Sequence, residues 1–172
     1  MTEPTRTPAS SGAQRVLAKI ADLTIYVAAA ALLGLVVVQA WQVFARYVLN
    51  DSPSWTEPVT LLLLSTAMSL GAAAGVHTSR HFGFYLLHDH VSPGMRRLID
   101  AIVMLVVASI GACIARWAAV LLLDGLDVKA AGASMPQSIN YLPLCIGGAL
   151  MTIFALNRLL LSLRPAPVGE EH

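Results

Sequence analysis

Charge is scarce in this chain. Only 12% of its 172 residues are Asp, Glu, Lys or Arg, about half the share found in a soluble domain. Net charge is +1, and no basic patch interleaved with aromatics occurs, which excludes a nucleic-acid partner. Cysteine is nearly absent. Cys113 and Cys145 both fall inside apolar runs, with no CxxC and no metal-ligand spacing, so they read as small buried hydrophobes rather than redox or metal groups. An enzyme needs a nucleophile with its base, a metal cluster or paired carboxylates. None of these constellations can be read, so no catalytic role, cofactor or metal is expected.

What the chain has instead is hydrocarbon. It is 56% hydrophobic, its mean hydropathy is +0.69, and its charges lie between four long apolar runs. These are Leu23–Ala45, Val59–Val76, Ala101–Leu123 and Ile139–Leu156. Each approaches or exceeds the roughly 20 residues a helix needs to cross a bilayer. The first is too long for the apolar core of a signal peptide, about 7 to 15 residues. The expectation is an all-α integral membrane protein with four transmembrane helices, over about 20–47, 56–76, 98–123 and 138–160. Together they form one membrane domain over 15–163, with short loops on one side and an amphipathic loop on the other.

Residues 1–14 are rich in Pro, Ser, Thr and Gly, too poor in apolar surface to fold, and are expected to be a disordered tail; residues 164–172 form a C-terminal tail. Val16, Leu17 and Ile20 fall at helical spacing opposite Arg15 and Lys19. Either an amphipathic lead-in at the membrane surface or an early start to the first helix accounts for them. Arg46-Tyr47 closes that helix at the interface. Asn50-Asp51-Ser52-Pro53 are four turn formers in succession, and Ser54-Trp55-Thr56-Glu57 fits a capping box opening the second helix. Pro58 is tolerated there because it falls in the first turn.

Ala67, Gly71 and Gly75 repeat every fourth residue on the second helix, a face suited to close approach of another helix, in this chain or a partner. The loop from His77 to Arg97 holds four of the five histidines. Its segment Phe82–Leu87 reads as a short helix in the headgroup region. Arg116 is the one charge inside the third run. It is either a functional group, as intramembrane charges often are, or a side chain that snorkels to the interface or pairs with Asp124. Lys and Arg number eight on the side of the termini and the His77–Arg97 loop, against three on the other. Both termini are therefore expected in the cytoplasm.

The corner Arg46-Tyr47-Val48-Leu49-Asn50 with Ser52-Pro53-Ser54-Trp55-Thr56-Glu57 resembles the first periplasmic corner of DctQ-type proteins. These are the small membrane subunits of tripartite ATP-independent periplasmic (TRAP) transporters. The resemblance continues through Gly71, Arg80-His81-Phe82, Met135-Pro136 and Tyr141-Leu142-Pro143 with Gly147, covering about residues 20–163. In one place the chain departs from the family pattern: the second acid after the tryptophan is Pro58. The resemblance implies a non-enzymatic scaffold in the bacterial inner membrane. Its implied partners are a large permease subunit, which moves a carboxylate-bearing solute with sodium, and a periplasmic substrate-binding protein, with membrane lipid around them. It also implies that Arg46, Asn50, Trp55 and Glu57 shape the periplasmic corner, with Arg46 pairing Glu57 or Asp51. Arg80 and His81 would fix the cytoplasmic loop.

A competing expectation is a stand-alone four-helix membrane protein, either a haem-binding redox subunit or a small homo-oligomeric transporter. Haem ligands should sit on facing helices, yet His77, His81, His88 and His90 share one loop. A proton-coupled exporter would want a mid-span carboxylate, but Asp22, Asp100 and Asp124 all lie at helix ends.

Overall fold

The computed structural model describes residues 12–51, 53–78, 93–130 and 136–162. Four long helices cross it: α1 (Gly12–Tyr47), α2 (Thr56–Thr78), α3 (Pro93–Asp124) and α4 (Leu142–Ser162). A 3₁₀ turn over Gln137–Tyr141 leads into α4. The chain is thus an all-α membrane protein with four spans, all long and apolar enough to cross a bilayer.

Three boundaries differ from the sequence expectation by more than two residues. α1 begins at Gly12, eight residues before the expected start and inside the segment expected to be disordered. Ala13 to Lys19 contains good helix formers and no breaker, so the helix runs back through the lead-in without interruption. α3 begins at Pro93 rather than 98. A proline fits the first helical position, where its missing N–H costs nothing and its fixed φ is already helical. The last span opens as a 3₁₀ turn, and its α-helix starts only at Leu142, with Pro143 buried in its first turn. The expected short helix at Phe82–Leu87 lies outside the described residues, as do residues 1–11 and 163–172.

α1 packs on α2, α2 on α4, and α4 on α3, an open row rather than a closed bundle. At the end of the row where α2 and α4 finish, Ala21, Ala73, Val76, Val107, Ala108, Phe154 and Ala155 join one buried cluster drawn from all four helices. The Arg158 guanidinium donates to the Val76 carbonyl there at 3.0 Å, satisfying an acceptor that the end of α2 leaves unpaired.

Backbone contact, more than large side chains, joins the helices. A Cβ on Gly148 would lie 2.8 Å from the Ala115 nitrogen and the Gly111 oxygen of α3. One on Gly147 would lie 2.6 Å from the Ser69 Cβ of α2 and 2.8–2.9 Å from Ser69 backbone atoms. The single Ser69 hydroxyl proton, on the same seam, is shared between its own helix's Ser65 carbonyl (2.6 Å) and the Pro143 carbonyl of α4 (2.9 Å). Other hydroxyls in the spans turn back onto the carbonyl four residues earlier, as Thr24, Thr66 and Ser109 do. Such bonds satisfy a polar group where no water is present.

Candidate functional site

The corner between α1 and α2 holds four of the six residues singled out by sequence. The last α-helical bond of α1 runs from the Val48 N–H to the Phe44 carbonyl, and the Asp51 N–H then reaches back to the Ala45 carbonyl at 3.1 Å. Between them Asn50 takes a positive φ of 52°. Asn is the non-glycine residue best suited to that left-handed conformation, so its presence in the motif has a backbone cause. Its side chain is exposed.

The start of α2 differs by one residue from the expected capping box. The first intrahelical bond runs from the Val59 N–H to the Trp55 carbonyl, which puts Trp55, not Ser54, at the cap position. Thr56 is fully buried, and its hydroxyl donates to the Pro53 carbonyl at 2.8 Å. Pro58, which stands where the family pattern has its second acid, is buried in the first turn. A carboxylate there would lose its hydration without gaining an evident cation. Glu57 is exposed beside it and sits in the first turn, where the helix dipole favours an anion.

Arg46 is exposed at the end of α1. Neither expected partner meets it: among the described residues Arg46 makes no ion pair with Asp51 or Glu57. Among the described residues, backbone bonds and the Thr56 hydroxyl tie the corner. Its charged groups, Arg46, Asp51 and Glu57, are left presented outward. Trp55 is about half exposed, 45%, and joins Trp41 and Asp51 around a groove of about 700 Å³.

Ala67, Gly71 and Gly75 are partly exposed along α2. A Cβ added at Gly71 would meet nothing within 4 Å, so among the described residues no other helix closes on that point. Close packing falls instead on Gly111, Gly147 and Gly148, none of which the sequence reading singled out as a packing position. For Gly111 and Gly148 the signal was present as small residues four apart in two different spans, Gly111/Ala115 and Gly148/Thr152. Arg116 is exposed on α3 and, among the described residues, pairs with neither Asp124 nor any other acid. Arg80 and His81 lie outside the described residues.

No group of three metal-ligating side chains occurs among the described residues. The corner offers an outward-facing arginine, two carboxylates and an indole on a firmly closed turn.

Comparison with known families gives one match. The model for "Tripartite ATP-independent periplasmic transporters, DctQ component" matches residues 35–164. No curated protein matches the chain.

Proposed function

The chain belongs to the DctQ component family of tripartite ATP-independent periplasmic transporters, and from that membership we propose that it is the static small subunit of a complete transporter. It is a small, multi-pass, permease-type membrane protein. On our reading it braces a large permease subunit in the bacterial inner membrane. That subunit performs ion-coupled uptake of a carboxylate-type solute delivered by a periplasmic binding protein.

The observation that carries the proposal is the extent of the match. It runs from mid-α1 through the end of α4, taking in the α1–α2 corner and all later spans in order. A second observation agrees with it. Among the acids of the described spans, Glu57 and Asp124 lie at helix ends, and Asp22 and Asp100 lie 25 and 24 residues from the corner-side ends of α1 and α3, about 36–38 Å at 1.5 Å per residue and so beyond a hydrocarbon core about 30 Å thick. A chain without a mid-membrane carboxylate lacks the usual group for coupling a solute to an ion by itself.

Lys and Arg distribution supports an orientation with both termini in the cytoplasm and the α1–α2 corner in the periplasm. In that orientation Arg46, Asn50, Trp55 and Glu57 face the compartment of the binding protein. The open face at Gly71 is free for a helix of the large subunit. Arg80 and His81 would act at the cytoplasmic surface.

The test is recovery of tagged full-length chain from native membranes in mild detergent, with the co-purifying chains identified by mass. A stoichiometric, larger, multi-spanning partner is expected. Recovery of this chain alone, under conditions where other membrane complexes survive, would overturn the proposal. Soret absorbance or solute transport by the isolated chain would then become the next measurements.

A further inference from the structure

The groove beside the α1–α2 corner is graded in polarity along its depth. Val37, Val38 and Trp41 line it from α1, and Asp51, Pro53, Ser54 and Trp55 line it from the corner. Val37 lies ten residues before the end of α1, about 15 Å deeper at 1.5 Å per residue. That equals half of a hydrocarbon core about 30 Å thick. The groove therefore runs from the membrane interior to the headgroup level of one leaflet. Its volume, about 700 Å³, is that of a small-ligand site, enough for one acyl chain and part of a headgroup.

The polar atoms of the groove fall in an order that selects a ligand. The two indole N–H groups are donors only, and neither has a hydrogen-bond partner among the described residues. The Asp51 carboxylate is an acceptor and likewise makes no ion pair or side-chain hydrogen bond there. No basic side chain lines the groove. From the deep end outward it thus offers apolar side chains, then the Trp41 donor, then a corner that carries the Trp55 donor and the Asp51 anion. A phospholipid with an amine headgroup presents the complement: acyl chain, ester and phosphate acceptors, then a cation. An anionic headgroup would instead place negative charge against Asp51 with nothing to offset it.

We infer that this groove binds a single phospholipid bearing a primary-amine headgroup, with its ammonium on the Asp51 carboxylate. Its ester or phosphate oxygens accept from Trp41 and Trp55, and one acyl chain lies along Val37 and Val38. A primary ammonium can donate to the carboxylate, whereas a trimethylated one cannot.

The chain carries three tryptophans, and only Trp117 is away from the groove. In full-length Trp117→Phe protein, quenching by phospholipids with brominated acyl chains therefore reports contact at the groove. The ethanolamine lipid is expected to reach half-maximal quenching at about threefold lower mole fraction than the choline lipid of identical chains. Asp51→Asn should abolish that preference while leaving quenching and the thermal midpoint unchanged. Equal quenching by the two headgroups, a preference for the glycerol headgroup, or a preference that survives Asp51→Asn would each overturn the assignment. A second arm uses the intact assembly isolated through a tag on this chain. Native mass spectrometry is expected to find one ethanolamine phospholipid that Asp51→Asn releases. An assembly whose groove cross-links to another protein and retains no such lipid would also overturn it.

Discussion

Replacing Gly148 by alanine should separate α3 from α4. The added Cβ would stand 2.8 Å from the Ala115 nitrogen and the Gly111 oxygen, whereas ordinary contact begins at 3.4 Å. The shortfall is 3.4 − 2.8 = 0.6 Å. Both obstructing atoms are backbone, so no side-chain rotation relieves it and the helices must part. A gap of about 0.5–1 Å forfeits a quarter to a half of each dispersion contact along the seam. The Thr152 hydroxyl bond to the Ala108 carbonyl, already 3.4 Å, would pass beyond hydrogen-bond range. Overpacking of this kind costs about 1–3 kcal/mol. Alanine also gains up to about 1 kcal/mol of intrinsic helix propensity over glycine, which partly masks the effect. Gly71→Ala supplies the control, because a Cβ there meets nothing within 4 Å and the propensity gain stands alone. Denaturation of both variants in the same mild detergent, followed by circular dichroism, is expected to put Gly148→Ala about 1–3 kcal/mol below Gly71→Ala. Equal stabilities would refute the claim that backbone contact at Gly148 sets the α3–α4 distance.

At the corner, Asn50→Gly should be neutral or slightly stabilising and Asn50→Val destabilising by about 1–2 kcal/mol, since φ is 52° there; thermal melts of the two variants check the order. Arg158→Ala removes the bond to the Val76 carbonyl and should cost about 1–2 kcal/mol. It should also raise amide hydrogen exchange in the last turn of α2 and leave α3 unaffected. Arg46→Ala and Trp55→Ala should leave the isolated chain within about 0.5 kcal/mol of wild type, because both side chains are outward-facing. In the assembled transporter they should lower solute uptake. Normal uptake in the double variant would remove these residues from the docking surface.

The four spans were legible because lipid imposes a simple demand: some twenty apolar residues without interruption. The start of α2 was legible because Asn50 to Pro53 cannot continue a helix and Pro58 can occupy only its first turn. What escaped notice has local causes. Gly12 to Gln14 follow a run of turn and tail residues, so their composition resembled the tail while their geometry belongs to α1. Ser54 and Trp55 compete for the cap position. The buried Thr56 hydroxyl, which ties the turn to Pro53, is a tertiary feature that no spacing reveals. Ala67, Gly71 and Gly75 were visible as a stripe, but a stripe does not say whether its neighbour lies in the same chain. Gly147 and Gly148 show the reverse. As adjacent residues they form no stripe with each other, yet each is pressed against a different helix.

That adjacency explains the form of the molecule. Consecutive residues on a helix point about 100° apart, so Gly147 and Gly148 admit α2 and α3 on two flanks of α4. α1 then meets the row through α2, and most of the buried hydrophobic residues are alanines. In lipid, moving a large apolar side chain from acyl chains to a protein interior gains little. Close backbone approach and hydrogen bonds remain to hold the helices together. The fold accordingly divides into two hairpins, α1 with α2 and α3 with α4. The joint between them is Gly147 against Ser69, tied by the Ser69 hydroxyl on the Pro143 carbonyl at 2.9 Å. A row joined in this way leaves its outer faces apolar and uncovered within the chain. Such a plate can be sheathed by lipid on one side while bracing a larger partner on the other, which is the task we propose for this chain.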